Sequence, residues 1–380
     1  VIGVPLRVGS VRLTSNLLLA PIAGWCDLAW RVTCRDLAST NGGLGLACTD
    51  LLSPKGLLIG SEASTDLART NDLDRPVGMQ LYGADPRLLG EAARWCADHG
   101  ATVVDLNMGC PVDKVCKRNG GSKLMCDPEL AVRIAESCRA ALPDHVPLTA
   151  KMRLGWTEHD ARRNAAGELA VRLVAVGVAA VTVHGRTTDQ RFRGNSNPEG
   201  IRRVVETVAE RCGLYQPESD TPGVPVIANG DVRTPHDVVE LLRRTGAAGV
   251  MIGRGAFAMP WIFRAAWDLE QRVRSGLSSE ALDAIHTTEP SEREKLDAMQ
   301  GYFERMREYR DDRYALHKIR QKISWLGKTI NDSHCKPLKD EIRASQSPAD
   351  VHAAIARWRH RLEEPTVPAG AAEPVVSKAG

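Results

Sequence analysis

Cys110 stands between Gly109 and Pro111, at the end of the apolar run VVDLNMGCP (103–111). A thiol on a stiffened turn just past a buried segment is either small apolar filler or a reactive group. Other reactive residue types recur at comparable places. Gln80 lies near the end of VGMQLYG (77–83), Asn107 just before Cys110, and Lys151 and Arg153 within LTAKMRLGW (148–156). His184 and Arg186 end AAVTVHGRT (179–187), Asn229, Gly230 and Asp231 end VPVIANGD (224–231), and Gly253 and Arg254 end GVMIGRGA (249–256). Each residue taken singly could be a cap or a solvent-facing group. Their recurrence at one end of successive apolar runs points to a shared site.

The types suggest a ligand. Lys151 interrupts an otherwise apolar run, and a buried lysine is costly unless something pairs with it. An anionic ligand is a natural partner. Gly230, Gly253 and Gly255 allow close backbone approach, and Arg254 adds a charged donor, as a phosphate site requires. A phosphate-bearing cofactor with an electron-poor ring meets all of these demands, and flavin mononucleotide (FMN) is the leading candidate.

The elements that would position these residues are legible from periodicity. Eight short apolar runs, the six above plus LLLAPIAG (17–24) and LGLACTDLL (44–52), read as doubly buried parallel strands. Helical patterns lie between them at 86–99, 128–141, 158–177 and 235–245, and Gly100, Gly177 and Gly246 are placed as C-terminal caps. On the first of these helices Leu88, Leu89, Ala92, Ala93 and Cys96 share a face. Eight strand–helix units over about 250 residues predict an α/β chain with a (β/α)8 TIM barrel. An open doubly wound sheet is the alternative, but no GxGxxG follows the first strand. In such a barrel the active site lies at the C-terminal ends of the strands, with phosphate held after the last two. The pattern changes near 275. The expected organisation is a catalytic barrel over 1–275, a small helical domain over 276–362 with helices at 295–330 and 348–362, and a Pro/Ala/Gly-rich disordered tail over 363–380.

Composition narrows the function. With 50 basic and 47 acidic residues the net charge is only +3, so nucleic-acid binding needs a local basic patch. Such a patch exists over 313–343, where Arg313, Lys318, Arg320, Lys322, Lys328, Lys336, Lys339 and Arg343 face three acids. Lys114, Lys117, Arg118 and Lys123 form a second cluster beside Cys110. Aromatics at 4% argue against a broad base-stacking platform. The 10 cysteines include no CxxC pair, so no metal site is expected. No secretory leader and no apolar run of about 18 residues is seen, which predicts a cytoplasmic chain without membrane contact. A monomer is the expected state, although no motif encodes it.

PIAGWCDLAWR, MQLYG, DLNMGCP, KMRLGW, VHGRT, VIANGD and MIGRGA, in that order, resemble the tRNA-dihydrouridine synthases over residues 12–270. GVMIGRGAFAMPWIF is most similar to the B type, and LHKIRQKISWLG (316–327) to the C type. The resemblance implies an FMN-holding barrel with a helical tRNA-binding domain. It implies reduction of the uracil 5,6 double bond in tRNA, with NADPH recharging the flavin. Ribosomal RNA stays open as a substrate. By the same resemblance Cys110 is the proton donor, passing a proton to C5 while reduced FMN gives hydride to C6. Pro21, Ile22 and Ala23 meet the flavin through backbone, Gln80 and Lys151 the ring, and His184 the flavin side chain or phosphate. Asn229, Gly230, Asp231, Gly253 and Arg254 hold ribityl and phosphate. Asn107, Arg153, Arg186, Lys114, Lys318, Arg320 and Lys322 are the expected substrate or RNA contacts. The chain departs from the family pattern at Ile22, Asp50, Phe192, Lys123 and 194–200. Two other readings stand beside this one: a flavin barrel acting on a free pyrimidine or enone, and a non-catalytic RNA-binding relative.

Overall fold

The structure is a computed structural model, which describes residues 4–38, 43–116, 120–274 and 289–363. The described chain divides into two compact units, residues 1–289 and 290–380. The expected boundary at 275 and the expected tail beyond its first residue, which still belongs to the helix Pro348–Glu363, lie outside the described residues.

In the first unit a short hairpin, β1 (Leu6–Val8) and β2 (Val11–Leu13), precedes eight further strands. These are β3 (Leu17–Leu19), β4 (Leu46–Leu52), β5 (Val77–Leu81), β6 (Val103–Met108), β7 (Leu148–Arg153), β8 (Val178–His184), β9 (Val226–Asn229) and β10 (Gly249–Ile252). They close into a barrel in chain order, with β10 pairing β3 in parallel through Val250↔Leu17 and Ile252↔Leu19. All eight anticipated strands are present, and the barrel replaces the open sheet because its first and last strands pair.

The hairpin escaped the sequence reading because each of its strands, LRV and VRL, is broken by an arginine and forms no apolar run, unlike the LLL of β3. It closes the N-terminal floor of the barrel. Leu6, Val8 and Leu13 form one cluster with Leu18, Leu46, Val103, Ala180, Ile227 and Met251 from the barrel strands. Burying such side chains contributes roughly 1.5–3 kcal/mol each.

Helices follow the strands with deliberate starts. Asp85, Asp127 and Asn197 each accept an N–H of the first turn, and each is followed by proline at the first helical position. Thr234 forms a reciprocal capping box with Asp237. Gly246 ends that helix in the left-handed region at φ 66. Two expectations need correction. The segment 158–177 is two helices, Glu158–Arg162 and Ala165–Ala175, because Asn164 adopts φ 57 between them. On the helix Pro86–Asp98 the buried face is Leu89, Gly90, Ala92, Ala93 and Cys96, with Leu88 only half-buried. A Cβ on Gly90 would lie 2.6 Å from Ser137 Oγ, so this helix approaches its neighbour closely there.

The second unit contains the helices Glu292–Tyr309, Asp312–Leu326, Lys336–Ala344 and Pro348–Glu363. A single helix over 295–330 was expected. Arg310 leaves helical geometry at φ −138, and Asp311 starts a new helix by accepting the Tyr314 N–H at 2.7 Å. The helix Lys336–Ala344 was not anticipated. Leu296, Met299, Phe303, Ile319, Ile323, Leu338, Ile342 and Ile355 are among the buried residues of this unit.

Candidate active site

Strand alternation decides which side chains enter the barrel. In-register pairing sets Gln80 beside Asp105, Asn107 beside Lys151, Arg153 beside His184, and His184 beside Asn229. The polar residues expected at the C-terminal mouth therefore do converge, from five adjacent strands.

One connected network starts on the barrel floor. Thr149 Oγ1 donates to Asp105 Oδ1 at 2.5 Å, and Gln80 Nε2 donates to Asp105 Oδ2 at 2.6 Å. Asn107 Nδ2 donates to Gln80 Oε1 at 2.7 Å. Asn107 Oδ1 in turn accepts the N–H of Gly109 at 3.2 Å and of Cys110 at 2.9 Å. The Cys110 carbonyl is held from the other side by the Ser122 N–H at 3.0 Å. A Cβ on Gly121 would lie 2.7 Å from that carbonyl, and Gly121 has φ 60, so glycine is required where this loop folds over Cys110.

Lys151 Nζ donates to Asn229 Oδ1 at 2.9 Å, and Asn229 Nδ2 donates to Met251 O at 2.7 Å. Burial, reinforced by the Arg153 charge, lowers Lys151 to about 8. His184 is pushed well below its ordinary value by burial and then by Lys151, Arg153, Arg186 and Arg254, so the imidazole is neutral. Its Nε2 lies 3.3 Å from Arg186 Nη1. Arginine only donates, so Nε2 accepts and the ring proton sits on Nδ1. Burial raises Cys110, with Cys116 adding to the rise while the Val112 backbone, Arg153 and Lys151 oppose it. The thiol is therefore protonated at neutral pH.

The rim above this cluster is pinned at several points. Ala20 N donates to Ile252 O at 2.8 Å, Cys26 Sγ to Ala20 O at 3.1 Å, and Gly24 N to Asp50 Oδ2 at 2.5 Å. Pro21, Ile22 and Ala23 lie in the loop so held, and Trp25 stacks on Phe257 at 3.8 Å between centroids. Ile22 Cδ1 comes within 2.9 Å of where a Gly253 Cβ would be, which ties the rim to the end of β10.

Asp231 pairs with Arg186 at 2.7 Å and with Arg254 at 3.7 Å, and accepts the Ser196 N–H at 2.7 Å. Burial works against its charge, but Ser196 and Arg186 outweigh that and hold it below the usual carboxylate range. Ser196 Oγ is buried with no hydrogen-bond partner among the described residues. It lies 2.2 Å and 2.3 Å from where Cβ atoms on Gly185 and Gly230 would be. The hydroxyl therefore fills the space above both glycines, and only glycine fits where the loop carrying Ser196 packs on the ends of β8 and β9. A cavity of about 350 Å³ borders the same spot, but Arg233, Arg244, Asp237 and Glu240 line it with mixed charge, and none of Gln80, Asn107, Lys151 and His184 reach it.

Several expected contacts fall elsewhere. Arg153 and Arg186 are each 2% exposed. Arg153 donates to the carbonyls of Gly109 (2.7 Å), Thr187 and Arg191 (2.8 Å each). Arg186 donates to Gly194 O at 2.6 Å and Arg193 O at 3.2 Å. Both shape loops instead of presenting a free charge to RNA. Lys322 is 0% exposed and donates to the Tyr302 hydroxyl, so it is a core residue of the second unit and not an RNA contact. Lys318 and Arg320 are half-buried, with Lys318 over the Tyr314 ring and Arg320 bonded to Ser345 O. Arg313, Lys328, Lys336 and Arg343 are exposed. Lys114, Lys117 and Arg118 lie outside the described side chains.

The sequence reading missed Asp105, Thr149 and Ser196. The first two could have been found from alternation, since Asp105 shares a strand face with Asn107, and Thr149 with Lys151. Ser196 carries no local signal. Among the described residues no group of three or more His, Cys, Asp or Glu could hold a metal ion, and no helix is long and apolar enough to cross a membrane.

Comparison with known proteins agrees with this geometry. The family model described as Dihydrouridine synthase (Dus) matches residues 18–358. A "Probable tRNA-dihydrouridine synthase" of Rhizobium leguminosarum bv. phaseoli is 33% identical over 359 residues, covering 93% of this chain and 96% of its own. A "tRNA-dihydrouridine synthase B" of Xanthomonas axonopodis pv. citri is 37% identical over 260 residues, 68% of this chain and 70% of its own. Among solved structures, 6-hydroxypseudooxynicotine amine oxidase from Pseudomonas geniculata N1 superposes with TM-score 0.51 at 14% identity, over 79% of this chain and 52% of its own, which speaks for the fold alone.

Proposed function

The chain belongs to the dihydrouridine synthase family, and from that premise we propose that it reduces the 5,6 double bond of uracil in tRNA, using FMN and NADPH. The observation that carries the reading is Cys110 beside a basic, polar barrel mouth, its thiol kept protonated and its backbone N–H held by Asn107. The residues present fit a flavin. Lys151 is a half-buried cation whose direct side-chain partner is a neutral amide, and Arg254 is an exposed cation just past β10, paired with Asp231 at 3.7 Å.

In this reading Gln80 and Lys151 hold the ring, with Pro21, Ile22 and Ala23 meeting it through backbone. His184 serves the side chain or phosphate. Asn229, Gly230, Asp231, Gly253 and Arg254 hold ribityl and phosphate. Bound reduced flavin supplies the hydride for C6 of the uracil. Cys110 then supplies the other hydrogen, protonating C5 from the opposite side of the ring. An acid that retains its proton through neutral pH suits that step. Arg153 and Arg186 keep the surrounding loops in place, and Asn107 orients the acid. A base inside a folded RNA has to leave its stack to reach the thiol. Exposed Arg313, Lys328, Lys336 and Arg343, with half-buried Lys318 and Arg320, are the candidates for phosphate contact. The cytoplasm, where tRNA and NADPH meet, is the proposed compartment.

The test is direct. Purified protein with FMN, NADPH and unmodified tRNA transcripts should form dihydrouridine, measured by mass spectrometry of digested RNA. If no dihydrouridine forms in RNA while free uracil or another enone is consumed, the chain is a small-molecule reductase and the reading fails.

A further inference from the structure

We propose that Asp105 is a positioning residue whose carboxylate sets the direction of a Gln80–Asn107 hydrogen-bond relay and so holds the backbone that presents Cys110. The proposal rests on the reading of Cys110 as the acid.

A primary amide offers NH2 on one side and oxygen on the other, and nothing in its shape says which way it faces. Gln80 is 0% exposed and Asn107 is 8% exposed, so their choice has to be made by buried neighbours. Asp105 Oδ2 is 2.6 Å from Gln80 and acts as an acceptor, which forces the Gln80 NH2 toward it. If Asp105 carries a proton on Oδ1, Thr149 Oγ1 takes it at 2.5 Å and Oδ2 still accepts. Gln80 Oε1 then faces Asn107, which forces the Asn107 NH2 toward Gln80 at 2.7 Å. Asn107 Oδ1 is left pointing at the N–H groups of Gly109 and Cys110. Reverse the first amide and the last one presents NH2 to two N–H donors. The turn that carries Cys110 would lose both of its bonds to Asn107. The links among Thr149, Asp105, Gln80 and Asn107 are buried and the two to the Cys110 turn are part-buried, so water offers no ready substitute along most of the relay, and an unmade buried bond is costlier than a made one is stabilising.

Two variants separate this role from bulk or charge. Asp105→Asn keeps an oxygen toward Gln80 and gives Thr149 Oγ1 an NH2 donor. Asp105→Leu removes the acceptor while keeping the same branching and number of side-chain heavy atoms. The readouts are kcat and KM on tRNA, and the rate at which iodoacetamide alkylates Cys110 in flavin-free protein, located by peptide mass. The exposed Cys126 serves as the internal control. Misplacing the acid should lower kcat about tenfold or more in Asp105→Leu, with KM changed by less than about threefold. Cys110 alkylation should rise about fivefold as its loop loosens, with Cys126 unchanged. Asp105→Asn should stay within about threefold of the parent on every readout. Parent-like behaviour of Asp105→Leu, or equal damage from Asp105→Asn, would overturn the proposal.

If Asp105→Leu does not fold, a second pair decides. Asn107→Asp sets a carboxylate against Gln80 Oε1 and should speed Cys110 alkylation. Adding Asp105→Asn lets the relay run in reverse. The amide introduced at position 105 then donates to Gln80, Gln80 donates to the new carboxylate at position 107, and alkylation should return to the parent rate. A double variant no slower to alkylate than the single one overturns the relay. Because alkylation needs neither flavin nor RNA, this result stands apart from whether the chain reduces tRNA.

Discussion

Cys110 and Lys151 are tuned in opposite senses by the same burial: the thiol is made a weaker acid and the ammonium a stronger one. Cys110→Ala should keep its flavin and still accept hydride from NADPH, yet lose about 10²–10⁴ in turnover on tRNA, as removal of a positioned acid does. Stopped-flow bleaching of the flavin and dihydrouridine counts separate the two steps. In the proposed reading Lys151 carries the pH dependence of flavin retention. Hydrogen-bond acceptors on the ring favour the charged lysine, so binding draws in a proton wherever the free lysine is neutral, above about 8. Flavin affinity should therefore fall as pH rises past about 8, by up to tenfold per unit, and Lys151→Met should bind weakly with a flat profile. Fluorescence titration of FMN from pH 6.5 to 9.5 measures this. Because Cys110 is raised, the acid should survive the same rise, so retention fails before chemistry does.

At the scale of elements, each half of a strand has its own work. The N-terminal halves contribute Leu18, Leu46, Val103, Ala180 and Ile227 to a dry floor, and the hairpin closes it. The C-terminal halves of the barrel strands bear Gln80, Asn107, Lys151 and His184. Leu13→Ala removes a fully buried side chain from the floor and should cost about 2–5 kcal/mol in urea unfolding. If the floor acts only as foundation, KM for tRNA should be unchanged in the folded variant. Asp311→Ala tests the helix break in the second unit. It removes the acceptor of the Tyr314 N–H and should cost about 1 kcal/mol.

For the whole molecule, the proposed RNA contact rests on charge that the barrel chemistry does not need. The net charge of +3 is small, so phosphate contact must come from local groups. Each lysine or arginine that neutralises a phosphate adds close to one unit to the salt slope of RNA binding. Replacing Arg313, Lys328 and Arg343 together with alanine should lower that slope by up to about three. Lys322→Met should leave it untouched and change only stability, since that ammonium is buried against Tyr302. Filter binding between about 50 and 200 mM salt distinguishes the two.

The eight barrel strands, the polar ends that meet at one mouth and the prominence of Cys110 were all legible in the chain. Period-2 burial and strand–helix alternation are local, so they are written in short windows of sequence. The hairpin floor was not, because an arginine interrupts each of its short strands and leaves no apolar run to register. The break at Arg310 was lost because its flanks are both good helix. The fates of Arg153, Arg186 and Lys322 were decided only in three dimensions. Their partners are carbonyls 7 to 44 residues away and a tyrosine hydroxyl on another helix, and a cation's exposure depends on what folds over it. The same holds for Asp105, Ser196 and the direction of the Gln80–Asn107 amides. Residue types name the possible donors and acceptors, but only the meeting of distant strands determines which of them face each other.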